Sequence, residues 1–232
     1  MKPDANPAAS PARRRILIVD DHPMMRAGLV QLIDKQPDLA VCGEAASPAE
    51  TFHELSRSQP DLLLADLSMP GRSGFDFIRD VHALRAGLPI LVVSMHDETI
   101  YAERALRAGA RGYLMKESGG ENLLAAIRWV LRGRVYLSPE MSARILNGLS
   151  GRKTRAAGSP IGTLSEREFE VFRLVGQGKS TAEIARQLHL SPKTVDVHRG
   201  HLKQKLELKD ATALIRYAVR WMETEDAGPQ GR

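Results

Sequence analysis

The chain has 232 residues, enough for one large domain or two ordinary ones, and it is 43% hydrophobic and 26% charged, as soluble globular proteins are. A net charge of +5 admits nucleic acid as a partner without requiring it. Cys42 is the only cysteine, no stretch reaches the roughly 20 apolar residues of a membrane span, and the N-terminus lacks a signal-peptide core, so a reducing, cytoplasmic setting with no membrane partner is expected.

Residues 1–12 are rich in Pro and Ala and read as a disordered tail. Short apolar runs follow at 15–19, 39–42, 61–65, 89–93 and 111–114, separated by stretches of helical apolar spacing at about 23–36, 48–57, 74–86, 98–108 and 120–132. Strand alternating with helix predicts an α/β domain over 13–133, a doubly wound five-stranded parallel sheet with helices on both faces. The composition changes at Gly133. Residues 134–162 read as a linker: SPEMSARILNGL supports one helix at 139–149, and SGRKTRAAGSPIG is basic, small and without periodicity. From Thr163 the pattern is all-α, with four helices at about 165–175, 180–188, 192–207 and 210–223; the domain spans 163–223 and a frayed tail covers 224–232. No internal repeat is present.

In an open parallel sheet, ligands gather at the carboxyl ends of the strands. The first run ends in Asp20 and Asp21, the third in Asp66, the fourth in Ser94 and the fifth, Gly112-Tyr113-Leu114-Met115, in Lys116. Taken singly, each has an ordinary reading: Asp21 as a helix N-cap, Lys116 as a solvated charge, Ser94 as a turn residue, Tyr113 as core. Their joint placement argues for a site, because the strand ends are located from the apolar runs and not from the polar residues. Three carboxylates converging on one rim repel unless a cation sits among them, and an all-oxygen ligand set suits Mg²⁺. A hydroxyl and an ammonium on the same rim are what a phosphoryl group needs around its oxygens.

VDDHP, LLLADLSMPGRSGFD, LVVSMHD and GARGYLMKES occur in order and resemble the flavodoxin-like receiver domain of bacterial two-component response regulators, over about residues 14–133. The resemblance implies that Asp66 accepts a phosphoryl group from a sensor histidine kinase, with no turnover of a separate substrate. It implies Mg²⁺ held by Asp20, Asp21, Asp66 and the backbone carbonyl of Ser68, with Lys116 pairing the phosphoryl oxygens. Ser94 moves toward the phosphoryl group and Tyr113 turns inward as it does. Glu117 follows Lys116 where many receivers carry proline, so the cis peptide associated with that proline is not implied.

In the C-terminal segment, LSERE is a helix start with Ser165 as N-cap and Glu168 completing a capping box. GQGKS ends one helix and caps the next through Ser180, and HLSP is a tight turn with Ser191 capping a helix that begins at Pro192. Two helices joined by a tight turn, the second rich in Lys and Arg, indicate helix-turn-helix binding of double-stranded DNA. LSEREFEV, GKSTAEIA and LSPKTVDVHRGHLKQKL resemble the LuxR-type domain of NarL/FixJ-family regulators, whose architecture is receiver plus this domain.

At about 100° per residue, Val195, Leu202 and Leu206 share the core face of the third helix. The opposite face carries Lys193, Asp196, Val197, Gly200 and Gln204 as candidate groove readers, with Lys203 on the flank. Thr194, His198, Arg199, Lys179 and Thr181 lie where phosphate contacts fit, though His198 also suits a structural histidine packed between helices. The fourth helix offers Ala211, Leu214, Ile215, Ala218 and Val219, more apolar surface than one small domain needs. The family resemblance implies a homodimer contact there, promoted by phosphorylation; ordinary core is the alternative. Two rival readings stand beside the regulator: a Mg²⁺-dependent phosphatase or phosphotransferase, for which His96 is the only nearby acid/base candidate, and a module whose C-terminal helices bind protein instead of DNA.

Overall fold

The structure, a computed structural model, describes residues 13–69, 73–149 and 160–226; the tail over 1–12 and the segment 150–159 of the linker lie outside the described residues. Strands β1 (Arg14–Val19), β2 (Leu39–Ala45), β3 (Leu62–Ala65), β4 (Ile90–Ser94) and β5 (Gly112–Met115) form one parallel sheet in the order β2-β1-β3-β4-β5. The order reverses beside β1, so the carboxyl ends of β1 and β3 flank the crevice where such sheets bind ligands.

Helices α1 (Pro23–Asp34) and α5 (Gly120–Leu131) cover one face. There Ile16, Ile18, Leu62 and Leu64 pack with Leu29, Ile33, Leu124 and Ile127. Helices α2 (Pro48–Ser58), α3 (Gly74–Leu84) and α4 (Glu98–Ala108) cover the other, where Leu17, Val19 and Leu63 meet Leu55, Phe77, Val81 and Ala105. Burial on both faces is why these strands read as continuous apolar runs. Strand β2 extends three residues beyond its apolar run. Ile16 pairs with Val41 but Leu17 pairs with Gly43, so Cys42 is skipped and Gly43–Ala45 pair with Leu17–Val19. Gly43 and the exposed Glu44 end the apolar run without ending the strand, as an edge position allows.

The linker begins as part of the receiver. Tyr136 bridges Gly112 in parallel, its carbonyl accepting from the Tyr113 N–H at 3.0 Å, which extends the sheet beyond β5. Ser138 then caps α6 (Pro139–Leu149) through the Met141 N–H at 3.0 Å, and α6 lies on α4 with Met141 buried.

The C-terminal domain comprises α7 (Glu166–Gly176), α8 (Thr181–Gln187), α9 (Pro192–Lys205) and α10 (Ala211–Asp226). Ser165 and Glu168 form the expected capping box, Ser180 and Glu183 form a second one, and Ser191 caps α9 behind Pro192. Val195, Leu202 and Leu206 point into a core with Phe172, Ile184, Leu214 and Ala218. Gly176 lies so close to α10 that a Cβ there would stand 2.8 Å from the Ala218 carbonyl, which is why α7 passes α10 on a glycine. Among the described residues, no helix is long and apolar enough to cross a membrane.

The two domains share one apolar cluster. Phe169 of α7 is fully buried, its ring 5.2 Å from Tyr101 of α4 and 6.4 Å from Phe75 of α3. Arg104 of α4, 7% exposed, lies 4.4 Å over the Phe169 ring and donates to the carbonyls of Ile161 and Leu164 at 3.0 and 2.9 Å. Burial lowers its pKa from the usual arginine value, but a guanidinium stays charged regardless. Around this contact Arg79 pairs with Asp76 and Glu166, Ser73 donates to Glu170, and Arg167 lies 3.7 Å from Asp76. Arg104→Ala should weaken the domain contact by about 1–3 kcal/mol, the worth of charge-assisted bonds. Calorimetry checks this: the variant should melt as two separated transitions where the wild type melts as one.

Glu168 generates a second prediction. Burial raises its pKa, but the bonds from Lys205 (2.7 Å) and from Ser165 outweigh that and hold it below its ordinary 4.5. A carboxyl with a lowered folded pKa adds stability above the unfolded value and loses it as pH falls through the folded value. Urea unfolding against pH should show stability falling below the ordinary 4.5 in the wild type, with Glu168→Gln less stable at neutral pH and shallower on the acid side.

Candidate functional site

The carboxyl ends of β1, β3, β4 and β5 bring Asp20, Asp21, Asp66, Ser94 and Lys116 onto one rim. Asp20 and Asp66 are each 2% exposed, and Ser94 is fully buried. Lys116 is not the solvated lysine of its single-residue reading. Its side chain is 4% exposed, with Nζ 2.7 Å from Asp20 Oδ2 and 2.8 Å from Asp66 Oδ2. Burial alone would push its pKa down, yet the hydrogen bonds to Asp20 and Asp66 raise it above the ordinary lysine value, so it stays charged.

The remaining oxygens are held by backbone. His22 N donates to Asp20 Oδ1 at 2.8 Å, and Ser68 N donates to Asp66 Oδ1 at 3.2 Å. Arg26 donates to the Asp20 carbonyl at 2.6 Å. Asp21 is not the N-cap of α1; His22 holds that position. Asp20, Asp21, His22 and Asp66 each offer a ligand atom within 4.8 Å of the others. Asp21 Oδ1 is buried with no hydrogen-bond partner, although His22 Nδ1 lies 2.8 Å away. Three carboxylates gathered this closely, with Asp20 and Asp66 buried, are an oxygen donor set that a divalent cation would satisfy.

Ser94 Oγ accepts from the His96 N–H at 3.2 Å. Tyr113 is already inward, fully buried, with its hydroxyl donating to the His96 carbonyl at 2.8 Å. The inward turn expected of it therefore has no outward starting point in this structure. The Lys116–Glu117 peptide is trans. His96 also reaches Ser68: its Nε2 lies 3.1 Å from Ser68 Oγ. The sequence weighs His96 as an isolated exposed group, whereas the fold stacks its ring on Tyr101 at 4.4 Å.

On α9, Lys193, Asp196, Val197, Gly200 and Gln204 are all exposed, Val197 by 49%. A Cβ at Gly200 would meet nothing within 4 Å, so the glycine serves no contact inside the domain. Arg199 donates to Thr181 Oγ1 at 2.9 Å, which ties the start of α8 to α9 and orients the guanidinium. The Thr194 hydroxyl is shared with the cap Ser191 at 2.8 Å. Lys179 is exposed at the start of α8 and Lys203 half-buried on the flank. His198 is half-buried beside His201, and burial lowers its pKa, a placement compatible with both of its readings. On α10, Leu214 and Ala218 are core, while Ile215 is 42% exposed and Ala211 is exposed.

Comparison with known proteins agrees with this division. Residues 16–128 match the response regulator receiver domain, and residues 162–218 match the luxR family of bacterial regulatory proteins. The oxygen regulatory protein NreC of Staphylococcus carnosus is 36% identical over 210 residues, covering 89% of this chain and 97% of that protein. RcsB of Salmonella enterica serovar Typhimurium, solved on promoter rprA with a beryllofluoride phosphomimetic, shares the fold at a TM-score of 0.71 and 24% identity, over 90% of this chain and 99% of that one. A second RcsB–DNA complex matches at a TM-score of 0.70 and 25% identity, over 89% and 99% of the two chains. A cation-ready acidic rim on a receiver sheet, joined to an exposed reading helix and matched over nearly its whole length by such regulators, places this chain in the NarL/FixJ family of two-component response regulators, with a LuxR-type DNA-binding domain.

Proposed function

We propose that the chain is a phosphorylation-controlled transcription regulator of the cytoplasm, in which Asp66 takes a phosphoryl group from a sensor histidine kinase. The observation that carries this is the shared Lys116 ammonium, 2.8 Å from Asp66 Oδ2, beside the carboxylates of Asp20, Asp21 and Asp66 gathered within 4.8 Å. A carboxylate is a weak nucleophile, and here it must meet an anionic donor, so neutralisation and alignment supply most of the rate. An oxygen of Asp66 attacks phosphorus as the bond to the donor breaks, and the donor leaves with that bonding pair. Lys116 takes up the charge gathering on the phosphoryl oxygens, and Ser94 is close by to donate once its hydroxyl is released from the His96 N–H. Asp20, Asp21, Asp66 and the Ser68 carbonyl would hold Mg²⁺, which when bound supplies further positive charge at that rim. No separate substrate is turned over.

In this reading the modified receiver favours a homodimer, and the dimer sets two reading helices on a two-fold site in double-stranded DNA. RcsB solved on DNA supports the DNA-binding role. So does the groove face of α9, which is open to solvent while α7 is held on the receiver. Ile215 and Ala211 of α10 are exposed for a partner copy.

Incubation with acetyl phosphate and Mg²⁺ tests the phosphoacceptor by intact mass. The wild type should gain one phosphoryl group, Asp66→Asn none, and Asp21→Ala should gain it more slowly with weaker Mg²⁺ binding. Uptake by Asp66→Asn at the wild-type rate would overturn the assignment.

Asp196 tests the reading face. Among the described residues it has no ion-pair partner, so neutralising Lys193 or Arg199 is not its role here. A free carboxylate on a groove face can accept from a cytosine amino group. Titrating Asp196→Ala on a specific site and on random duplex should show specific binding weaker by about 1–3 kcal/mol while random binding holds or rises. An equal rise on both would reduce Asp196 to a repulsive charge.

A further inference from the structure

A cavity of about 170 Å³ lies between the residues that follow β3 and the helices α7 and α8. Leu67 and Met69 of the receiver and Leu174 and Leu188 of the DNA-binding domain give it apolar walls, and all four are buried. Two charged side chains also line it, Glu170 and Arg173, both on α7. Glu170, 6% exposed, has both carboxylate oxygens engaged: Oε1 accepts from Ser73, and Oε2 accepts from Arg167 Nη1 at 2.8 Å. Arg173 has no such match. Its Nε is buried without a hydrogen-bond partner, and among the described residues its guanidinium has no ion-pair partner. Its Cζ lies 5.7 Å from the centre of the Tyr101 ring, a contact that attracts a cation but does not neutralise it.

We infer that this cavity binds a small organic monocarboxylate, its carboxylate on Arg173 and its apolar body against Leu67, Met69, Leu174 and Leu188. Charge selects the head group. A buried guanidinium nitrogen without an acceptor is costly, and a carboxylate satisfies it with the charge-assisted, two-pronged geometry that arginine favours. The lining carries one unmatched positive charge, and the Glu170 carboxylate stands on the same wall. A monoanion balances that set, whereas a phosphate dianion would bring surplus negative charge beside Glu170. Volume and wall chemistry select the body. A cavity of about 150 Å³ is enough to hold benzene, so the present one takes a single ring or a branched chain of similar bulk. Concave sites with apolar walls and a few fixed polar groups are the usual form of small-molecule sites. Because both domains line the cavity, the ligand binds only while they are packed together, and it stabilises the chain in that arrangement. The site is separate from the acidic rim and does not depend on phosphoryl transfer.

Isothermal titration of the full chain with benzoate tests this, against benzamide, which has nearly the same shape and no charge. One benzoate should bind per chain, and benzamide should bind about tenfold more weakly, the usual difference between a charge-assisted and a neutral hydrogen bond. Arg173→Met keeps the length of the side chain without its charge and should weaken benzoate about tenfold while benzamide changes little. Gln187, half-buried on the same wall, supplies a second variant that leaves Arg173 in place. Gln187→Glu adds a like charge and should also weaken benzoate but not benzamide. It keeps the question answerable if Arg173→Met does not fold. Thermal melting gives an independent reading: the wild-type Tm should climb steadily with benzoate concentration, and that of Arg173→Met should not. Equal affinity of the wild type for benzoate and benzamide would overturn the inference. So would benzoate binding that persists unchanged in both variants, which would place the anion on surface arginines instead.

Discussion

A single buried ammonium, Lys116 Nζ, is shared between two carboxylates from different strands, Asp20 and Asp66. Removing either partner would leave a charge in a site with almost no solvent, which is costly. The arrangement exists because three strands deliver their last residues to one crevice beside the reversal in strand order. The last four residues of β1 and all of β3 are buried on both faces, so charge follows only where those strands stop. The sheet thus fixes the site, and it sets Asp21 beside this shared ammonium, its Oδ1 buried and 2.8 Å from His22 Nδ1.

The same crevice borders the second domain. Ser73, the N-cap of α3, and Phe75, Asp76 and Arg79 of that helix all meet α7. Helix α4, which follows Ser94 and His96, supplies Tyr101 and Arg104 to the same contact. The elements that leave the rim are therefore the elements that grip the DNA-binding domain. That contact covers Phe169 and leaves the groove face of α9 in solvent. The receiver thus holds α7 without covering the reading helix.

The alternation of runs made the receiver fold legible, since parallel strands buried on both faces betray themselves by continuous apolar residues. The rim residues were legible for the same reason, as the polar residues at the ends of those runs. The capping box at Ser165 and Glu168 and the core face of α9 also follow from local pattern. What escaped was non-local. Gly43 and Glu44 belong to β2 through pairing with Leu17 and Ile18, which their own composition hides. Phe169, Tyr101 and Arg104 read as ordinary helix positions; only the fold brings Arg104 to carbonyls 57 and 60 residues away. His198 sits at a spacing that suits both groove flank and helix packing, and its half-burial beside His201 is compatible with either. The stacking of His96 on Tyr101 needs the β4–α4 turn, which no period in the sequence encodes.

In the proposed function, charge placed on Asp66 changes what the far domain does with DNA. A fluorescent duplex carrying a two-fold site can be titrated with the full chain, with and without beryllofluoride and Mg²⁺. Binding should tighten about 5–150-fold in the wild type, the usual range for coupled sites, and should stay unchanged in Asp66→Asn. Equal affinity of the wild type in both conditions, at matched salt, would contradict it.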